Sequence, residues 1–117
     1  MRTSFKLACV AVTLWLTVGA PISSAAADDA VPAVQMEQGK KLFISVTPAC
    51  ALCHTLKDAG SEGVVGPILD EIKPGSKRVT KALRDGLGSM PSYKTLLTEE
   101  QIAALARYVS TATGGVD

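Results

Sequence analysis

A chain of 117 residues supports one small domain, which buries a smaller share of its surface than a longer chain would. Twelve Lys and Arg stand against eleven Asp and Glu. There is no basic run and no basic stripe with interleaved aromatics, which excludes a nucleic-acid binder.

The chain begins with a short basic stretch, Met1 to Lys6, followed by an apolar run, Leu7 to Val18, and then Gly19-Ala20-Pro21-Ile22-Ser23-Ser24 before Ala25-Ala26-Ala27. That order reads as a secretory signal peptide, residues 1–27, with cleavage after Ala27 and small residues at the last and third-last positions. A retained anchor would need about 20 apolar residues, and the run is shorter. A lipid anchor on Cys9 is disfavoured, because Cys9 lies at the start of the run and Lys6 stands where such a motif expects leucine. The expected product, residues 28–117, is exported to the periplasm without a membrane anchor. Loss of Arg2 and Lys6 leaves ten basic residues against eleven acidic ones.

Asp28 to Pro32 is a polar, Pro-containing lead-in expected to be mobile. From about Ala33 to Ser45, Met36, Gly39, Leu42 and Phe43 recur on one helical stripe and predict a first helix. Thr47-Pro48 interrupts it and delivers the chain to Cys50-Ala51-Leu52-Cys53-His54.

This pentapeptide organises everything else. Two cysteines about one helical turn apart, with a histidine directly after, form the attachment motif of a c-type haem. Thioether bonds from Cys50 and Cys53 would reach the two vinyl groups on one porphyrin edge, and His54 would supply the proximal iron ligand. The same cysteines could instead form a thioredoxin-type redox pair, half of a zinc site, or small buried hydrophobes. A redox pair is expected beside a strand-helix-strand unit, which the sequence lacks, and structural zinc takes four ligands where this segment offers three. An aromatic content of only 4% agrees with a core built around a porphyrin.

After His54, the stretch from Gly60 through Gly66-Pro67 is glycine-rich and predicts a loop. Ile68 to Ile72 predicts a short helical turn ended by Pro74-Gly75. Ser76 is placed to cap a helix that turns Val79, Ala82 and Leu83 inward and Lys77, Arg78, Lys81 and Arg84 outward. The basic residues read as a solvated face, with Arg78 as the candidate to meet a propionate. Gly86 to Pro91 breaks all periodicity and carries Met90, whose thioether is a soft ligand that raises the reduction potential when it stands opposite histidine. The other methionine of the exported segment, Met36, belongs to the helical stripe and reads as core. Thr98 and Gln101 form a capping box for a last helix, with Ile102, Leu105, Ala106, Val109 and Ala112 on one face and Gly114-Gly115 at its end.

From about Met36 onward the sequence resembles the class I cytochromes c. Within them, Ala49 to Gly60, Gly66-Pro67-Ile68-Leu69-Asp70 and Met90-Pro91-Ser92-Tyr93 are most similar to the small haem subunit of bacterial sulfite dehydrogenases. The resemblance implies an all-α fold of three main helices and short turns around one covalent haem, with the first and last helices crossing. It implies that Gly39 lets those helices approach, that Phe43 covers a haem edge while serving as core, and that Tyr108 packs the last helix on the first. It also implies that the Pro67 carbonyl accepts from the second nitrogen of His54, and it supports Met90 as distal ligand.

With both axial positions filled, no site is left for oxygen or peroxide, and the expected function is single-electron transfer. A small peroxidase would need a vacant or weakly held sixth position, and a haem sensor would need a second domain. The expected port is the haem edge near Ala51, Leu52, Ser89 and Pro91. Its expected partners are redox proteins, which under the resemblance are a molybdenum-containing sulfite-oxidising subunit as donor and an oxidase or second cytochrome as acceptor. A free shuttle serving another dehydrogenase or oxidase is the alternative.

Overall fold

The computed structural model describes the backbone of residues 25–117 and the side chains of residues 32–117. The expected leader, residues 1–27, lies outside the described residues as far as Ser24. Helix α1 runs Ala25–Ser45, α2 Cys50–Cys53, α3 Leu69–Ile72, α4 Ser76–Asp85 and α5 Glu99–Thr113. A two-stranded antiparallel ladder pairs β1 (Thr55–Leu56) with β2 (Ser61–Glu62) around a 3₁₀ turn, Lys57–Ala59. Among the described residues, no helix is long and apolar enough to cross a membrane.

The core is set where α1 crosses α5. Gly39 makes the crossing possible, since a Cβ there would lie 3.0 Å from the carbonyl carbon of Ala104 and closer still to Ala104 O and Tyr108 Cβ. Beside it, Phe43 and Tyr108 meet edge-to-face with ring centroids 6.1 Å apart, an arrangement worth about 0.5–1.5 kcal/mol beyond the area buried. Ile102 and Leu105 of α5 and Leu83 of α4 complete a core at 0–2% exposure.

Tyr108 is buried, and its hydroxyl donates to Asp58 Oδ2 at 2.6 Å, while Lys40 Nζ lies 3.1 Å from the same oxygen. The 3₁₀ turn is thus pinned to the crossing. The hydrogen bond from Tyr108, then Lys40, holds the Asp58 carboxyl below its ordinary value.

Helix α5 begins with the expected reciprocal cap, in which Thr98 N donates to Gln101 Oε1 and Gln101 N donates to Thr98 Oγ1. Gly114, at φ +70°, ends it in the left-handed conformation.

Three local expectations change. Helix α1 starts at Ala25 rather than near Ala33, and Pro32 lies inside it. Proline's fixed φ is helical, and the helix continues through it although an interior proline loses one hydrogen bond and crowds the carbonyl four residues back. The glycine-rich stretch after His54 contains β2, because Ser61 is buried and bonds the neighbouring backbone: Leu56 N donates to Ser61 Oγ at 3.0 Å, and Ser61 Oγ donates to His54 O at 3.0 Å. Ser76 does not cap α4. Asp117 does so from 40 residues away, its Oδ1 accepting from Lys77 N and its Oδ2 from Ser76 Oγ, both at 2.8 Å.

Candidate functional site

Helix α2 is a single turn, closed by His54 N donating to Cys50 O at 2.9 Å. It turns Cys50 into the interior at 8% exposure. Burial pushes the Cys50 thiol up to about 11, the reverse of what an oxidoreductase thiol needs. Among the described residues, no three His, Cys, Asp or Glu side chains gather as a metal cluster.

The loop after β2 is laid across this turn. Gly66 N donates to Cys53 O at 2.7 Å, and Thr55 Oγ1 donates to Gly63 O at 3.0 Å. Both glycines are needed for the close approach: a Cβ at Gly63 would sit 2.6 Å from His54 N, and one at Gly66 would sit 2.7 Å from His54 Nδ1.

His54 Nδ1 lies 2.9 Å from Pro67 O. A carbonyl only accepts, so Nδ1 carries the proton and the Nε2 lone pair is left free for a metal.

These elements surround a cavity of about 300 Å³, the size range of small-molecule and cofactor sites. Phe43, Cys50, Cys53, His54, Pro67 and Met90 all line it. Val79, Ala82 and Leu83 of α4 and Leu105 and Val109 of α5 supply apolar wall, and Arg78 supplies its one Lys or Arg side chain. Of the expected port residues, Ser89 and Pro91 are on the wall; Ala51 and Leu52 are not, although Leu52 is 69% exposed nearby in sequence.

The distal segment is a tight turn. Leu87 and Met90 exchange backbone hydrogen bonds at 3.0 Å in both directions, and Gly88 takes φ +58°. Tyr93 follows at 3% exposure. Its amide donates to Leu83 O at 2.7 Å and its hydroxyl to Pro48 O at 2.7 Å. Burial pushes the Tyr93 hydroxyl up to about 12. The structural part played by Tyr93 is not foreseen from the sequence; an aromatic isolated among turn residues is the one signal of it.

The donor set fits a covalently attached haem. Two sulfurs one helical turn apart, a histidine with a free Nε2, a thioether on a glycine-bearing turn and an otherwise apolar wall with one guanidinium all border the same cavity.

The family described as "Cytochrome C oxidase, cbb3-type, subunit III" matches residues 34–109, and the chain belongs to this family of cytochrome c domains. A search of the curated proteins finds no match. Among solved structures, the chain is similar to the c-type cytochrome SorU from Sinorhizobium meliloti, at 46% identity over 71% of this chain and 95% of that one, with a TM-score of 0.67. The fold is therefore the helical c-type cytochrome fold, membership implies covalently bound haem c, and the protein is an electron carrier rather than an enzyme.

Proposed function

We propose that this is a periplasmic mono-haem cytochrome c with His54 and Met90 as axial ligands, serving as the haem subunit or direct electron acceptor of a sulfite dehydrogenase. The observation that carries the electron-transfer reading is the convergence of Cys50, Cys53, His54 and Met90 on one apolar cavity. The sulfite assignment is supported by the resemblance of the Cys50, Gly66-Pro67 and Met90 segments to small haem subunits of sulfite dehydrogenases. The similarity to SorU, a c-type cytochrome covered over 95% of its chain, supports the electron-carrier reading.

When bound, the haem supplies a one-electron change at iron. The chain's residues make that change reversible. Cys50 and Cys53 would tether the group, and His54 would hold the iron through Nε2 while the Pro67 carbonyl holds its ring. Met90, on the same cavity wall, would supply a thioether ligand to the iron, a soft donor that would favour the reduced state. Phe43, Leu83 and Leu105 would exclude water, and Arg78, also on the cavity wall, would compensate the anionic propionates. Val65 and Leu87, at 71% and 70% exposure, line the cavity at its opening and offer an apolar rim for a partner. Such a small rim suits a brief redox encounter. Residues 1–27 act as the export signal.

The test is stopped-flow mixing of the oxidised cytochrome with sulfite and a sulfite dehydrogenase, following haem absorbance. Rapid, weakly salt-dependent reduction is expected, because the near-neutral balance of charge gives little long-range steering. Failure here, with rapid reduction by another periplasmic dehydrogenase, would remove the sulfite assignment and leave the carrier.

A further inference from the structure

We infer that Tyr93 is a positioning residue for the sixth iron ligand, its hydroxyl acting as the latch that holds the Met90 turn against the segment leading into the haem-attachment motif. The inference rests on the proposed ligation by Met90.

Its basis is the way the distal turn is anchored. Within the turn, Leu87 and Met90 bond only each other's backbone, so those bonds shape the turn without fixing its place. Met90 also packs against the core, and the hydrogen bonds that place the turn come from its flanks. On the N-terminal side the turn hangs from α4, and Gly86, at φ +73°, lies close under it. On the C-terminal side Tyr93 is bonded to α4 through its amide to Leu83 O. Both of these attachments lead to the same helix, so neither ties the turn directly to the segment that carries Cys50, Cys53 and His54.

The Tyr93 hydroxyl breaks that symmetry by reaching Pro48 O, 45 residues earlier, on the strand of backbone that enters α2. Both Pro48 and Tyr93 line the cavity. One hydrogen bond therefore joins the segment carrying Met90 directly to the segment carrying Cys50, Cys53 and His54. Tyr93 itself is 3% exposed, and the bond lies part-buried at the cavity wall, where water competes for it less than at an open surface.

Tyr93→Phe removes one oxygen and keeps the ring. Cyanide binding to the oxidised protein reads the fraction of time that Met90 leaves the iron. The expected result is a cyanide-binding rate roughly fivefold higher, the factor matching the loss of about 1 kcal/mol of hydrogen bond, with a weakened sulfur-to-iron absorption band.

Tyr108→Phe is the control. It also deletes one part-buried tyrosine hydroxyl with a short hydrogen bond, at 2.6 Å to Asp58, a residue that does not line the cavity. It should lower the melting temperature and leave cyanide binding unchanged. Equal cyanide rates in Tyr93→Phe and the unmodified protein would overturn the latch while the band of the unmodified protein still upholds Met90. Absence of that band in the unmodified protein would overturn the Met90 reading, and the latch with it.

Should Tyr93→Phe fail to retain haem, hydrogen exchange in the unmodified protein decides. Leu87 and Met90 amides as protected as that of Tyr93 uphold a latched turn, and exchange at least tenfold faster in the turn overturns it.

Discussion

The backbone of Gly66 lies against the imidazole ring of His54, so that a Cβ at position 66 would fall 2.7 Å from Nδ1 and 3.0 Å from Nε2. Real Cβ atoms do not pack that tightly, and the ring would have to turn away from Pro67 O to make room. Gly66→Ala is therefore expected to weaken the His54–Pro67 bond and alter the ligand field at iron. The check is a change in the low-spin electron paramagnetic resonance g-values, with a fall in thermal stability. Val64→Ala, two residues earlier, 90% exposed and off the cavity wall, should leave both as they are.

Crossing of α1 and α5 depends on the missing side chain at Gly39. Gly39→Ala puts a methyl group into the Ala104 carbonyl and the Tyr108 Cβ, and overpacking of this kind costs about 1–3 kcal/mol. Thermal unfolding should show a drop of several degrees, at about 4–8 °C per kcal/mol for a domain of this size.

The Asp58–Tyr108 pair makes stability depend on pH at both ends of the scale. The Asp58 carboxyl is held below 3.8 by the Tyr108 hydrogen bond and Lys40, so its contribution is complete well above 3.8 and is lost as pH falls through the lower folded value. The Tyr108 hydroxyl is raised above 10, first by burial and then by Asp58, so its contribution is present below 10 and is lost as pH rises beyond. Melting temperatures followed from pH 7 downward should fall less steeply in Asp58→Asn than in the unmodified protein. Tyr108→Phe should flatten the alkaline limb and cost about 1 kcal/mol at neutral pH.

Replacement of the two methionines separates ligand from core. Met90→Ala should abolish the sulfur-to-iron band and lower the reduction potential. Met36, partly buried on α1 and packed against the core, should tolerate Met36→Leu with under about 1.5 kcal/mol lost and no change in the band. Loss of the band in Met36→Leu instead would reverse the assignment.

What could be read from the sequence was mostly what is local along it. The capping box at Thr98 and Gln101 is legible because both partners lie within one turn, and the inward set Val79, Ala82 and Leu83 is legible because α4 repeats every 3.6 residues. The cap on α4 is not, since the oxygen that bonds Lys77 N belongs to Asp117 and no periodicity links the two. Ser76 looked like a cap because its residue type is right, yet it donates to that same carboxylate. The Tyr93–Pro48 bond is hidden for the same reason, spanning 45 residues between two loops. Pro32 misleads in the opposite direction: it punctuates the sequence without ending the helix. Cys50, Cys53 and His54 announce their chemistry by spacing alone, whereas Pro67 and Phe43 were legible only through resemblance, because a turn proline and a core phenylalanine look like any others.

The order of these elements along the chain also sets an order in time. Cys50 is 8% exposed once folding is complete, and much of the cavity wall it shares, Val79 to Leu83 and then Leu105 and Val109, lies later in the sequence. A chain that emerges from its N-terminus displays both thiols and His54 before that enclosure exists, and α1 has nothing to cross until α5 arrives. During that interval a bulky reagent has free approach to both sulfurs, of which the finished protein buries that of Cys50 and half-covers that of Cys53, and the docking of the last fifteen-residue helix brings the interval to an end.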